Sequence, residues 1–158
     1  MARHLIFTDR EAAFLRELVK QRVQFIIVGL SAATLQGAPA VTQDIDLWFR
    51  NLRDPGIKRA LRKVGGSYIP PIALSPPLFE GESVKLFDIV MNMDGLESFV
   101  REYKRAIDVP LGGVTVKVLP LDRIIASKKA ANREKDRLVI KVLRDALVTI
   151  QEAKRSGV

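Results

Sequence analysis

Two aspartates stand inside an apolar run, Asp44-Ile45-Asp46-Leu47-Trp48-Phe49. Side chains alternate along a strand, so Asp44 and Asp46 face the same side, about 7 Å apart along the chain. Two like charges on one half-buried face repel each other and lose hydration, so something positive has to compensate them. A divalent cation does this economically. A charged strand end, or a surface pair bridged by basic residues, is the plainer alternative. Upstream, Phe25-Ile26-Ile27-Val28 is long enough for one buried strand, and Gly29 stops it. Ser31 to Gln36 reads as a short helix with Gly37 past its end. The start of that helix would aim free N–H groups at the space beside the first strand, where a phosphate could sit. Ser31 reads as its N-cap, as a phosphate donor, or as both. Pro39 and Thr42 lead into the Asp-x-Asp strand.

The 158 residues suffice for one domain with a real core. No apolar run approaches a membrane span, and the N-terminus shows no signal-peptide h-region. The chain has no cysteine, which excludes disulfides and thiolate metal sites and fits a cytoplasmic location. Its one histidine, His4, argues against a histidine-rich metal site or a Ser-His-Asp triad. Any metal should therefore be a hard cation bound by oxygen. The net charge is +8, with ten Lys or Arg against four Asp or Glu in residues 123–158 and sixteen against fourteen before them. This C-terminal surplus is either a solvated helix surface or an attraction for nucleotide phosphates, RNA or an acidic partner.

Taken in order, Thr8-Asp9-Arg10-Glu11 has the form of a capping box, and Phe14, Leu15, Leu18 and Val19 form a helical stripe. Asp54-Pro55 opens a second amphipathic helix, which Gly65-Gly66 ends. Ser67 to Ala73 reads as an edge or short strand because of Pro70-Pro71, and Ser75 to Ser83 as a loop or connection. Val84 to Met91 reads as a third clear strand in which Leu86, Asp88 and Val90 share a face. Asp88 is a lone carboxylate there, with Lys85 or Lys128 as possible partners. Leu96 to Arg105 reads as a helix with Phe99, Val100 and Tyr103 inward. Ala106–Val109 and Val114–Val118 read as a hairpin around Leu111-Gly112-Gly113. Two helices follow. The first starts at Pro120 and sets Lys128 beside its apolar stripe. The second runs from about Arg133 to Ala153, with Leu138, Val139, Val142, Leu143, Ala146, Leu147 and Ile150 as its inner face. This order suits one α/β (α+β) domain over residues 1–158, with an α/β core to 118 and a helical part over 119–158.

Two stretches resemble the nucleotidyltransferase superfamily with the polymerase-beta-type core. Gly29-Leu30, thirteen further residues and Asp44-Ile45-Asp46 match its glycine-motif and Asp-x-Asp spacing. Gly37-Ala38-Pro39-Ala40-Val41-Thr42-Gln43-Asp44-Ile45-Asp46 is similar to the G-x-P-R-x-T-x-D-x-D form of the minimal-nucleotidyltransferase, AbiEii-like branch. Leu30 and Ala40 depart from the pattern, where relatives carry Gly or Ser and Arg. Leu119-Pro120 through Arg133-Glu134-Lys135-Asp136 resembles the Leu-Pro start, lysine-bearing helix and Arg-x-Lys-Asp element of the same family.

The resemblance implies a mixed sheet with catalytic carboxylates on adjacent strands, flanking helices and a C-terminal helical pair. It implies transfer of an NMP from an NTP, most readily ATP, to a hydroxyl of a protein or a tRNA-like RNA acceptor, within a possible toxin–antitoxin pair. Asp44, Asp46 and Asp88 would be catalytic and hold two Mg²⁺ ions. Gly29, Ser31, Thr42, Lys128, Arg133, Lys135 and Asp136 would serve the nucleotide. Leu30 and Ala40 support a rival, a catalytically weak or inactive nucleotide-binding or interaction module of the same fold. The charge surplus supports a third reading, a basic RNA-binding domain.

Overall fold

The computed structural model describes residues 8–40 and 42–157, so His4 lies outside the described part. Helix α1 spans Asp9–Lys20 and starts on the expected capping box, in which the Glu11 carboxylate accepts from the Thr8 backbone N–H at 2.8 Å. Strand β1 (Phe25–Val28) follows, then α2 (Gly29–Leu35), β2 (Ile45–Phe49) and α3 (Pro55–Lys63). A two-stranded ribbon comes next, formed by β3 (Ser67–Ile69) and β4 (Leu78–Glu80). Then come β5 (Phe87–Val90), α4 (Phe99–Arg105), β6 (Ile107–Leu111) and β7 (Val114–Val118). Helices α5 (Leu121–Ala131) and α6 (Glu134–Arg155) end the order.

The main sheet runs β5-β2-β1-β7-β6. Strand β2 is antiparallel to β1 and parallel to β5, while β7 is parallel to β1 and antiparallel to β6. All four residues of central β1 are buried, which explains its unbroken apolar run. In β2 burial alternates. Ile45, Leu47 and Phe49 face the layer holding α1 and the ribbon, where Phe14 meets Phe87 and Phe79 meets Phe49, each edge to face. Asp46 and Trp48 face the other way, and Trp48 packs against Phe99 of α4. Gln36 joins α2 to the start of α5: its amide N–H donates to the Leu119 carbonyl at 2.8 Å and its oxygen accepts from the Leu121 N–H at 3.1 Å.

The mixed sheet with flanking helices agrees with the expected α/β (α+β) class, and several boundaries differ. Residues 78–80 form a strand where a loop was expected, because Phe79 is buried among Phe14, Phe49 and Tyr68. The third strand starts at Phe87, not Val84, since the chain turns between Gly81 and Phe87. Helix α4 starts at Phe99, where the Ser98 hydroxyl caps it, and Val100 is 44% exposed instead of inward. On α6 the buried row is Asp136, Ile140 and Leu143, so Leu138, half a turn away, is 76% exposed and leaves the expected inner face. No helix among the described residues is long and apolar enough to cross a membrane.

Helices α4 and α5 are joined by a buried ion pair. Arg123 donates to both oxygens of Glu102, at 3.0 Å from Nε and 2.6 Å from Nη2, and the Glu102 side chain is fully buried. Burial would raise the Glu102 carboxyl, but the Arg123 hydrogen bond and charge hold it below its ordinary value. Glu102→Ala leaves Arg123 without its buried partner. The expected loss is about 3 kcal/mol in urea unfolding.

Candidate active site

The register of three strands places the carboxylates. Val28 stands opposite Asp46 across β1–β2, and Asp46 stands opposite Asp88 across β2–β5. Paired residues on neighbouring strands share a face about 5 Å apart, so Asp46 and Asp88 are neighbours. Asp44 precedes β2 by one residue instead of lying within it, and Thr42 Oγ1 accepts from its backbone N–H at 3.3 Å. The three acids line one cleft of about 510 Å³.

Gly29 and Ser31 build the seat of Asp46. Gly29 has φ +67°, and a Cβ there would overlap the Asp46 carboxylate. Glycine is thus required both by the backbone and by the acid packed against it. Helix α2 starts at Gly29 with Val28 as its cap residue, so Ser31 is not the N-cap. The Ser31 hydroxyl is fully buried; it donates to the Val28 carbonyl at 2.7 Å and accepts from the Asp46 N–H at 3.1 Å. It anchors β2 to β1 and does not face the cleft, which corrects its expected contact with phosphate.

Burial, then the charges of Asp88 and Asp44, raise Asp46 from 3.8 to about 6, partly offset by Lys128 and Lys135. Burial and the charge of Asp44 also raise Asp88. None of the three acids forms an ion pair among the described residues: Lys85 pairs with Glu82 at 3.1 Å, and Lys128 turns to Asp136.

The facing wall comes from the α5–α6 corner. Asn132 turns the chain in the left-handed region, and Asp136 is buried beneath the corner. Its carboxylate accepts from Arg133 Nε at 2.6 Å, from the Arg133 backbone N–H at 3.1 Å and from Lys128 Nζ at 3.4 Å. Burial would raise Asp136, but the Arg133 hydrogen bonds and the Lys128 charge hold it at about 2. Asp136 therefore orders the two cations and stays ionised. Lys128, Arg133 and Lys135 all line the cleft, as do Gly29, Leu30 and Thr42.

Asn92, Met93 and Asp94 form the third side of the cleft, and nothing in their sequence marks them as part of a site. Gly95, at φ +73°, lets this turn approach so closely that a Cβ would meet Ala130 of α5. The order Met93-Asp94-Gly95 is that of a turn, which gives the bend but not what lies beside it.

Among the described residues, no three His, Cys, Asp or Glu side chains approach closely enough to enclose one metal ion. The donors still suit Mg²⁺, a hard cation usually held by one or two carboxylates together with substrate phosphates. Adjacent Asp46 and Asp88 are the pair able to share it, with Asp44 beside them.

Several solved structures share this architecture. The crystal structure of ANT(2'')-Ia in complex with adenylyl-2''-tobramycin aligns over 90% of this chain and 88% of its own, with TM-score 0.55 and 17% identity. The solution structure of the antibiotic-resistance factor ANT(2'')-Ia aligns over 92% and 89%, with TM-score 0.55 and 16% identity. No protein-family model and no curated protein sequence matches the chain. The fold is that of a nucleotidyltransferase, and these likenesses do not single out the minimal, AbiEii-like branch.

Two outcomes follow from the seat of Asp46. Gly29→Ala should lose about 2 kcal/mol or more of stability, through the left-handed backbone and the overlap with the carboxylate. Between pH 3.8 and about 6 the folded chain holds a proton on Asp46 that the unfolded chain has released. Stability then falls as pH rises through that window, and the loss is complete above it. Asp46→Asn should flatten this dependence and raise the metal-free melting temperature near neutral pH by about 4 °C or more.

Proposed function

We propose that the chain is a metal-dependent nucleotidyltransferase that moves an NMP from an NTP, ATP foremost, to a hydroxyl of a protein or RNA acceptor. The observation that carries this reading is the opposition of charges across one cleft, with Asp44, Asp46 and Asp88 on one wall and Lys128, Arg133 and Lys135 on the other. The shared fold with ANT(2'')-Ia supports it, since one of those structures holds an adenylylated hydroxyl compound. A role as one half of a toxin–antitoxin pair, with the cognate protein as acceptor, belongs to the same proposal.

Lys128 and Lys135 meet the triphosphate, and Asp136 keeps Lys128 and Arg133 oriented. Mg²⁺, held as two ions through Asp44, Asp46, Asp88 and the phosphates, would neutralise the leaving group and acidify the acceptor hydroxyl. Asp88, exposed to the cleft, receives the hydroxyl proton. The acceptor oxygen bonds to the α-phosphorus, the bond from that phosphorus to its bridging oxygen breaks, and pyrophosphate leaves with the electron pair.

A second reading is a nucleotide-binding module without turnover. Leu30 in the cleft wall favours it. The test uses ATP labelled in its α-phosphate, Mg²⁺, and total RNA, copurified protein or an aminoglycoside as acceptor. Label should enter one acceptor, and Asp44→Asn or Asp46→Asn should lower transfer about 100-fold or more. Transfer that survives both substitutions overturns the catalytic assignment. Mg²⁺-dependent ATP binding with no labelled acceptor selects the second reading. Lys128→Ala should raise the KM for ATP about tenfold with a smaller change in kcat, read from initial rates.

A further inference from the structure

We propose that the outer face of α3 and the turns beside it form a docking surface for a nucleic-acid backbone, separate from the cleft. Residues 50–63 carry six Lys or Arg against one acid, Asp54. That acid is engaged as the N-cap of α3, accepting from the Gly56 N–H at 2.8 Å. On α3, Ile57, Ala60 and Leu61 are buried and Lys58, Arg59, Arg62 and Lys63 are exposed. The pairs 58/62 and 59/63 lie one turn apart, so the exposed face carries two cationic rows with about 6 Å between successive side-chain origins. Arg50 and Arg53 extend this face from the preceding turn, and Arg22 from the end of α1.

The surface positions its charges without neutralising them. Arg59 Nε donates to the Gln21 side-chain oxygen at 2.7 Å, and Arg50 Nη1 donates to that of Gln24 at 2.7 Å. Two neutral amides thus fix two guanidiniums. Among the described residues none of Arg22, Arg50, Arg53 and the four α3 cations has a carboxylate partner, whereas Arg101, Arg105 and Arg123 around α4 are all ion-paired. Like charges one turn apart weaken a helix. An array of this kind opposes its own stability until an anion meets it.

The chemistry favours phosphates over other polyanions. Among the described residues none of the exposed large apolar side chains lies on this surface, and a protein partner needs an apolar centre to its interface. The apolar face of α3 is buried, so the helix has nothing to insert into a bilayer. A phosphate backbone requires only spaced cations, and arginine meets it with a planar fork. No exposed aromatic is present among the described residues to stack a base, so recognition is independent of sequence. The surface lies near the Phe25–Phe49 end of β1–β2, while the cleft opens at the Val28–Asp46 end, about 10 Å along the strands and on the other face of the sheet.

The test measures fluorescence-anisotropy titration of a labelled single-stranded RNA at several salt concentrations. Three proteins are compared: the unaltered chain, a Lys58→Gln/Arg62→Gln/Lys63→Gln variant, and a control with Lys129→Gln/Arg144→Gln/Lys154→Gln. The α3 variant should bind at least about tenfold more weakly, with a log–log salt slope smaller by about 2. The control should stay within about twofold of the unaltered chain, and both variants should melt like it. Equal weakening in both variants would show attraction by net charge alone and overturn the proposal. Polyglutamate or anionic vesicles competing as well as RNA, at equal charge, would overturn it too. An Asp44→Asn/Asp46→Asn variant should keep full RNA affinity, which separates this surface from the fate of the transfer reading.

Discussion

The Asp46 carboxylate lies directly against the Cα of Gly29, and much of the site follows from that contact. It requires a residue without Cβ at the end of β1, in a left-handed backbone that turns the chain straight into α2. Ser31, two residues on, is thereby brought under Asp46, where its hydroxyl bridges the Val28 carbonyl and the Asp46 N–H. The acid is fixed by backbone geometry on two strands, so it cannot relax away from Asp88 beside it. Burial first, and the two neighbouring carboxylates next, raise its pKa and make it a weaker acid.

The opposite wall is organised by the reverse arrangement. Asp136 is a buried acid surrounded by donors and stays ionised, while Asp46 is a partly buried acid beside other acids and resists ionisation. Each half is frustrated in a complementary sense. A ligand bearing both a divalent cation and phosphates would satisfy the two walls together, with cation to the acids and phosphate oxygens to Lys128, Arg133 and Lys135. Under the proposed function, a metal–phosphate unit would therefore match the cleft better than either component alone.

Charge is also distributed differently in space than along the chain. The C-terminal surplus is partly absorbed at the α5–α6 corner, where Asp136 takes up Lys128 and Arg133. The larger unneutralised array belongs to residues 50–63 and the end of α1, within the part of the chain whose overall balance looks nearly neutral. Averaging over the first 122 residues conceals it, because nearly all the acids that balance the count lie outside it, on α1, at the ribbon, in the cleft and around α4.

Much of this protein could be read in one dimension. An unbroken apolar run predicted one buried strand, a capping box predicted the start of α1, and the apolar context of Asp46 predicted a strand that carries it. These features follow from local periodicity and capping, which depend on near neighbours alone. Leu138 and Val100 escaped such a reading, because which part of a helix is covered depends on its partner's width. Strand β4 escaped because only Phe79 packing among Phe14, Phe49 and Tyr68 stabilises it. The role of Ser31, the wall built by residues 92–94 against Ala130 and the opposition of the two charged walls were decided only by tertiary structure. Each depends on the register and packing of segments distant in sequence, and residue spacing along the chain carries no measure of distance across the fold.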